Sequence, residues 1–270
     1  MIRTAPLPAA VLDLALQTLP DDVKAGMRAV GPRAVLAGGY LRSLATQVYP
    51  GEFRSFVEKA PKDIDIFVPD ADAMAQLASF VAPGRRCVGY QRYLGGMPTW
   101  RKTVTFKERA GETAEVQVIA EWAFESAVEV IENFDFSVSA AALWWNGSDW
   151  EGVTEDWWEK EISQRLTSYR STAPNPAGTL LRLPRYLSLG YHVPNESLTC
   201  IAARATEQAQ DWYQRRGTCR GSWREGQPGY KLDLGDVMFE MCEKELISPP
   251  STGLVRTWEG TQLIPQCGEA

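Results

Sequence analysis

The stretch LAGGYLRSLATQ, residues 36–47, drives a short apolar run into two glycines and out into helix-period residues. A polar connection follows, and then PKDIDIFVPD, residues 61–70, places Asp63 and Asp65 one residue apart inside a second apolar run. Residues two apart on a strand share a face, so both carboxylates project the same way. The chain is thus committed to strand, glycine turn, helix, loop and carboxylate strand in that order. Read locally, this is a tight turn followed by an ordinary edge strand. Read chemically, it is a phosphate cradle beside a cation platform.

The surrounding pattern supplies the frame. Residues 8–30 read as one helix or two, with Pro20-Asp21-Asp22 as a restart signal. RAVLAG reads as a short buried strand, and GYLRSLATQVY has helical spacing through Leu41, Leu44 and Val48. DADAMAQLASFVA begins with an aspartate suited to cap a helix. RKTVTFKE and TAEVQVIAEW, with a Gly111 turn between them, read as a hairpin. WAFESAVEVIENF reads as a helix, and DFSVSAAALWW as a strand or a strand-to-helix transition. Strands and helices mix through about residue 150. Near residue 171 the proline-rich STAPNPAGT forms a joint, after which the leucine spacing of LLRLPRYLSLGYHVP and of residues 195–216 is helical. LGDVMFEMCEKEL adds one further helix. The expected division is residues 1–170 and a smaller helical part, 171–270.

The chemistry rests on the two short motifs. Paired carboxylates on one strand face repel each other unless water or a cation lies between them. Magnesium takes hard oxygen ligands, usually one or two carboxylates plus substrate phosphates. Gly38 and Gly39 allow phosphate oxygens close to the main chain, and the helix that follows offers free N–H groups and a favourable dipole. Arg42, one turn in, adds a candidate bidentate phosphate contact. The G-K-[ST] ending of a Walker A loop is missing.

Composition removes several classes. The net charge of −6 argues against a nucleic-acid binder that works by bulk charge, without excluding a local basic groove. Arg215, Arg216, Arg220, Arg224 and Lys231, interleaved with Trp212, Tyr213, Trp223 and Tyr230, are the candidate groove; a solvated helix face and loop is the competing reading. Five dispersed cysteines without a CxxC pair fit reduced thiols in a cytoplasmic setting. The single histidine, His192, disfavours His-based triads and His-rich metal sites. No run of eighteen apolar residues suggests a membrane span.

LAGGYLRSL followed by PKDIDIFV resembles the head of the DNA polymerase β-like nucleotidyltransferase superfamily. It is most similar to the class II tRNA nucleotidyltransferase and poly(A) polymerase branch, whose pattern is GG-x-x-R-D and then P-x-D-x-D. NFDFSVSAAAL is similar to that branch's R-R-D-F-T-x-N-A, and GTLLRLPRYLSLGY resembles its neck pattern L-R-x-x-R-F-x-x-x-x-G-F. The resemblance covers residues 36–191. It implies an α+β fold: a nucleotidyltransferase head with a mixed or antiparallel sheet and helices, followed by a helical neck.

It further implies that Asp63 and Asp65 bind two magnesium ions, while Gly38, Gly39 and Arg42 cradle the triphosphate of an NTP, ATP or CTP. Glu115 falls at the third metal-binding carboxylate, its alternative being a solvent-facing strand acid. Asp135 falls at the ribose contact, its alternative being a helix cap. Arg182 and Arg185 match the neck's nucleotide-contacting arginines. The implied reaction transfers a nucleoside monophosphate to an acceptor hydroxyl, foremost an RNA or tRNA 3′ end. Modification of a protein, a toxin acting on tRNA, and a degenerate nucleotide- or RNA-binding module are the alternatives.

Departures from the pattern are specific. Ser43 replaces the Asp after the arginine, Glu132-Asn133 replace the paired arginines before D-F-T, and Pro184 should kink or restart the neck helix. Asp211 and Arg215 are the nearest counterpart of the nucleotide-selecting E-D-x-x-R element, at a spacing equally suited to a surface ion pair.

Overall fold

The computed structural model describes residues 2–50, 61, 63–88, 103–107, 114–170, 176–218, 254–257 and 260–263. The chain divides into two compact units, Met1–Thr172 and Ala173–Ala270. Among the described residues no helix is long and apolar enough to cross a membrane.

The first unit is an α+β domain on an eight-stranded mixed sheet. In chain order its strands are β1 (Thr4–Pro6), β2 (Val35–Ala37), β3 (Asp63–Phe67), β4 (Cys87–Val88), β5 (Thr103–Phe106), β6 (Glu115–Ile119), β7 (Ala141–Trp145) and β8 (Trp150–Glu155). They lie side by side as β1-β8-β7-β2-β3-β6-β5-β4. Only the central β3–β6 pair is parallel; the other neighbours are antiparallel.

The helices form where the local signals place them. Pro20 ends the first apolar stretch and α1 (Ala9–Thr18) gives way to α2 (Asp21–Val30), whose first turn carries Asp21 and Asp22. Gly39–Val48 is α3. Asp70 caps α4 (Ala71–Val81), accepting the Ala73 N–H at 2.8 Å. Ser126 caps α5 (Ala127–Glu132) through the Glu129 N–H, and Glu129 reaches back to the Glu125 N–H, a reciprocal arrangement at the helix start. A 3-10 turn, Ser137–Ser139, leads into β7, which resolves the strand-to-helix ambiguity there in favour of turn then strand. Sequence periodicity gives no sign of β1, β8 or α6 (Trp158–Gln164).

Alternation along β3 sets the two faces of the sheet. Ile64 and Ile66 are buried with Val116, Val118, Val104 and Phe106. Each fully buried side chain of this kind contributes about 1.5–3 kcal/mol. The opposite face carries Val35, Ala37 and Phe67, which join Ala127, Val130 and Ile131 of α5 in a second cluster. Helices α2 and α4 are tied by Arg85, whose fully buried side chain donates to Asp22 at 2.6 and 3.3 Å and to the Val81 carbonyl at 2.8 Å.

The second unit contains α7 (Pro176–Ser188), α8 (Asn195–Thr218) and a hairpin of β9 (Leu254–Thr257) and β10 (Gly260–Leu263). Of the kink or restart expected at Pro184, the restart does not occur: α7 runs on through the proline. The proline removes one donor, while the helix closes on a glycine cap: Gly190 has φ +81°, and the Tyr191 N–H returns to the Tyr186 carbonyl at 3.1 Å. Buried Tyr186 and Tyr191 meet edge to face at 6.2 Å. The expected helix LGDVMFEMCEKEL, the Gly111 turn and the side chains of the Arg215–Lys231 groove, with Asp211, lie outside the described residues.

Candidate active site

The site is assembled at one end of the sheet, where β2 finishes and β3 begins. The antiparallel ladder pairs Leu36 with Ile66, so its next step brings the end of β2 alongside Asp65. The glycine turn and both aspartates therefore share one end of two adjacent strands. Asp63 and Asp65 are half-buried and face the same way, on the side of the sheet that carries Phe67.

The parallel partner strand settles the register of the third carboxylate. Asp63 pairs with Glu115, Asp65 with Gln117 and Phe67 with Ile119. Paired residues in a parallel ladder lie on one face, so Glu115 stands beside Asp63. Its Oε1 accepts an ion-paired hydrogen bond from Lys107 Nζ. Among the described residues no three His, Cys, Asp or Glu side chains converge closely enough to hold one ion. The donor set still suits magnesium: Asp63 and Asp65 give two hard oxygen ligands on one face, the number that magnesium takes when substrate phosphates complete its shell.

The two glycines have separate roles. Gly38 adopts φ +89°, and a Cβ built there would sit 2.9 Å from the Phe134 ring. The fold itself demands this glycine. Gly39, the first residue of α3, has no positive φ, and a Cβ there would meet nothing nearer than Arg42 Nη2 at 3.7 Å. Its neighbours leave room for a ligand to approach the main chain. The first N–H groups of α3 have no acceptors within the helix.

Arg42 is 4% exposed and donates from Nη1 to Ser139 Oγ at 3.2 Å, which joins the glycine turn to the 137–139 turn. Ser43 is also buried. Tyr40 anchors the start of α3, its hydroxyl 2.8 Å from Thr18 Oγ1; burial pushes the phenol up to about 12, so it stays neutral. An aromatic wall bounds the carboxylate face, with Phe67 at 5.5 Å from Trp122 and 5.8 Å from Phe134.

Asp135 is buried, and its main chain is strapped by residues 166–170. The Arg170 N–H donates to the Asp135 carbonyl at 2.8 Å, and the Ser137 N–H to the Ser168 carbonyl at 3.0 Å. Beneath the strap, Glu161 accepts from the hydroxyls of Ser137 and Ser168. Burial raises the Glu161 carboxyl above its usual range, and the Glu155 charge adds to this; the two serine bonds and the Arg170 charge oppose it. The Arg170 guanidinium donates to the Ile131 carbonyl at 2.6 Å and lies 3.6 Å from Glu155.

Arg182 and Arg185 lie three residues apart on α7 in the second unit, both exposed. Sequence reasoning missed Lys107, Phe134 and Ser139. Counting the hairpin register outward from Phe106–Val116 would have placed Lys107 opposite Glu115.

A family model described as Gabija anti-defense 2 family protein matches residues 11–159. No curated protein matches the chain. Among solved structures it is similar to the Thermotoga maritima CCA-adding enzyme complexed with tRNA, at 13% identity and a TM-score of 0.50, covering 93% of this chain and 59% of that one. A CCA-adding enzyme in complex with CTP gives 14% identity, the same coverage and the same TM-score. The chain thus spans 59% of the length of each of these enzymes, and the likeness establishes a nucleotidyltransferase-like fold.

Proposed function

The chain belongs to the Gabija anti-defense 2 family, and from that premise we propose that it is a metal-dependent nucleotidyltransferase acting against the Gabija defence. It transfers a nucleoside monophosphate from ATP or CTP to an acceptor hydroxyl and releases pyrophosphate. The observation that carries this reading is the placement of Asp63 and Asp65 on one strand face, at the end of the sheet where Gly38 and Gly39 open α3.

Asp63 and Asp65, with Glu115 beside them, hold two magnesium ions that supply activation of the acceptor hydroxyl and charge neutralisation on the triphosphate. Gly39 and the first amides of α3 receive phosphate oxygens, and Arg42 adds its guanidinium. Asp135 fixes the ribose. The reaction takes place in the cytoplasm.

Two acceptors stand on different observations. The four motifs from residue 36 to 191 favour an RNA 3′ end, foremost that of tRNA. The family favours a hydroxyl on a component of the defence itself. Incubation with each of the four labelled NTPs, magnesium and separate RNA and Gabija protein pools distinguishes them by which pool takes up label. Asp63→Asn or Asp65→Asn is expected to lower incorporation by about a thousandfold, the loss of several kcal/mol of charge stabilisation, with the fold intact by circular dichroism. Full incorporation by the double variant would overturn the proposal. Magnesium-dependent NTP binding without turnover would instead favour a nucleotide-binding module.

A further inference from the structure

On the carboxylate face three neighbouring strands meet in one row. Asp63 on β3 pairs with Glu115 on β6, and one step past the Phe106–Val116 pair the hairpin brings Lys107 opposite Glu115. Glu115 therefore stands between a carboxylate on one side and an ammonium on the other. Its ion pair is with the ammonium, which draws it toward β5 and away from Asp63. The side chain of Lys107 is 44% exposed and that of Glu115 is 23% exposed, so the pair lies in reach of solvent. A pair of this kind is worth at most about a fivefold preference, weak enough to be exchanged for a stronger partner.

The geometry points to Lys107 as a positioning residue: it occupies Glu115 while no divalent ion is present and releases it when an ion binds beside Asp63 together with a triphosphate. This rests on the nucleotidyltransferase reading above. An ion arriving alone has to displace an ammonium from the carboxylate and then face that ammonium's repulsion. An ion arriving with a triphosphate brings a polyanion that gives the freed Lys107 a new partner. The exchange conserves charge, since one carboxylate passes from ammonium to metal while the ammonium passes to phosphate. Ion and nucleotide binding are thereby coupled, each favouring the other by the same factor. The third carboxylate is then available chiefly to an ion that comes with its nucleotide, which limits idle metal loading.

Manganese binding without nucleotide, followed by the electron paramagnetic resonance signal of the free ion, tests this apart from turnover. Lys107→Met is expected to bind Mn²⁺ about fivefold tighter than the wild type, the size of the ion pair it removes. Lys107→Arg keeps the wild-type affinity. In a Glu115→Gln background, Lys107→Met tightens Mn²⁺ binding by a smaller factor, because only the repulsion is left to relieve. ATP strengthens Mn²⁺ binding less in Lys107→Met than in the wild type. A merely structural lysine would weaken metal binding when removed or leave it unchanged. Lys107→Met binding no tighter than wild type, or tightening by the same factor with Glu115→Gln, would overturn the proposal. Unchanged Mn²⁺ binding in Asp63→Asn would instead overturn the metal-site reading on which it rests.

Discussion

Replacing each glycine of the pair by alanine separates what the fold requires from what a ligand requires. At Gly38 the backbone lies at φ +89°, ψ −135°, a conformation that other residues adopt at a cost of about 1–3 kcal/mol. The added methyl also arrives 2.9 and 3.1 Å from Phe134 Cε1 and Cζ, and such overpacking costs a further 1–3 kcal/mol or so. Gly38→Ala should therefore lose about 2–6 kcal/mol of head stability, the sum of the strain and packing terms. At Gly39 the methyl meets only Arg42, at ordinary contact distance, and alanine favours a helix start, so stability should hold or rise by up to about 0.5 kcal/mol. The same methyl fills the approach to the first amides of α3, and losing one charge-assisted hydrogen bond to phosphate lowers NTP affinity by about tenfold or more. Urea unfolding followed by tryptophan fluorescence, with calorimetric titration of magnesium–ATP, reads both quantities. Wild-type NTP affinity in Gly39→Ala would refute the phosphate cradle, and a wild-type unfolding midpoint in Gly38→Ala would refute the turn geometry.

Two stability predictions address the buried charges. Glu161 has a folded-state pKa raised above the usual 4.5, so its contribution to stability is complete below that value and is lost as pH climbs through the raised one. The melting temperature of the wild type relative to Glu161→Gln should accordingly fall as the pH rises from below 4.5; a flat difference would refute the assignment. Asp22→Ala removes the carboxylate partner of the fully buried Arg85 side chain and should cost about 3 kcal/mol in chemical denaturation. Adding Arg85→Met to that variant should recover part of the loss, because the uncompensated charge is then gone; no recovery would count against it.

Much of this architecture was legible where local chemistry decides the outcome. The Pro20 break, the Asp70 cap and the alternation of Asp63-Ile64-Asp65-Ile66 each carry their own signal, and the structure places α1, α2, α4 and β3 on them. What escaped was decided by partners remote in sequence. Thr4-Ala5-Pro6 has no alternation and holds a proline, yet becomes a strand because β8 offers an edge. Arg42, expected as a phosphate contact, is buried, and its guanidinium donates to Ser139, ninety-seven residues away. Lys107 mattered only once the ladders aligned it with Glu115.

The edge pairing of β1 with β8 bears on the order in which the head can be made. Thr4 meets Glu155, and the Ile2 N–H reaches Glu132 at 3.1 Å, so these early residues have no lasting place until some hundred and fifty positions have left the ribosome. Closing so long a loop is slow, and β8 shows an open flank until it happens. Translation therefore finishes the strands around the glycine turn and the aspartates before it seals the sheet's outer border. A nascent head would hold its metal-facing strands together while one margin of its sheet is still exposed to chaperones and to other chains.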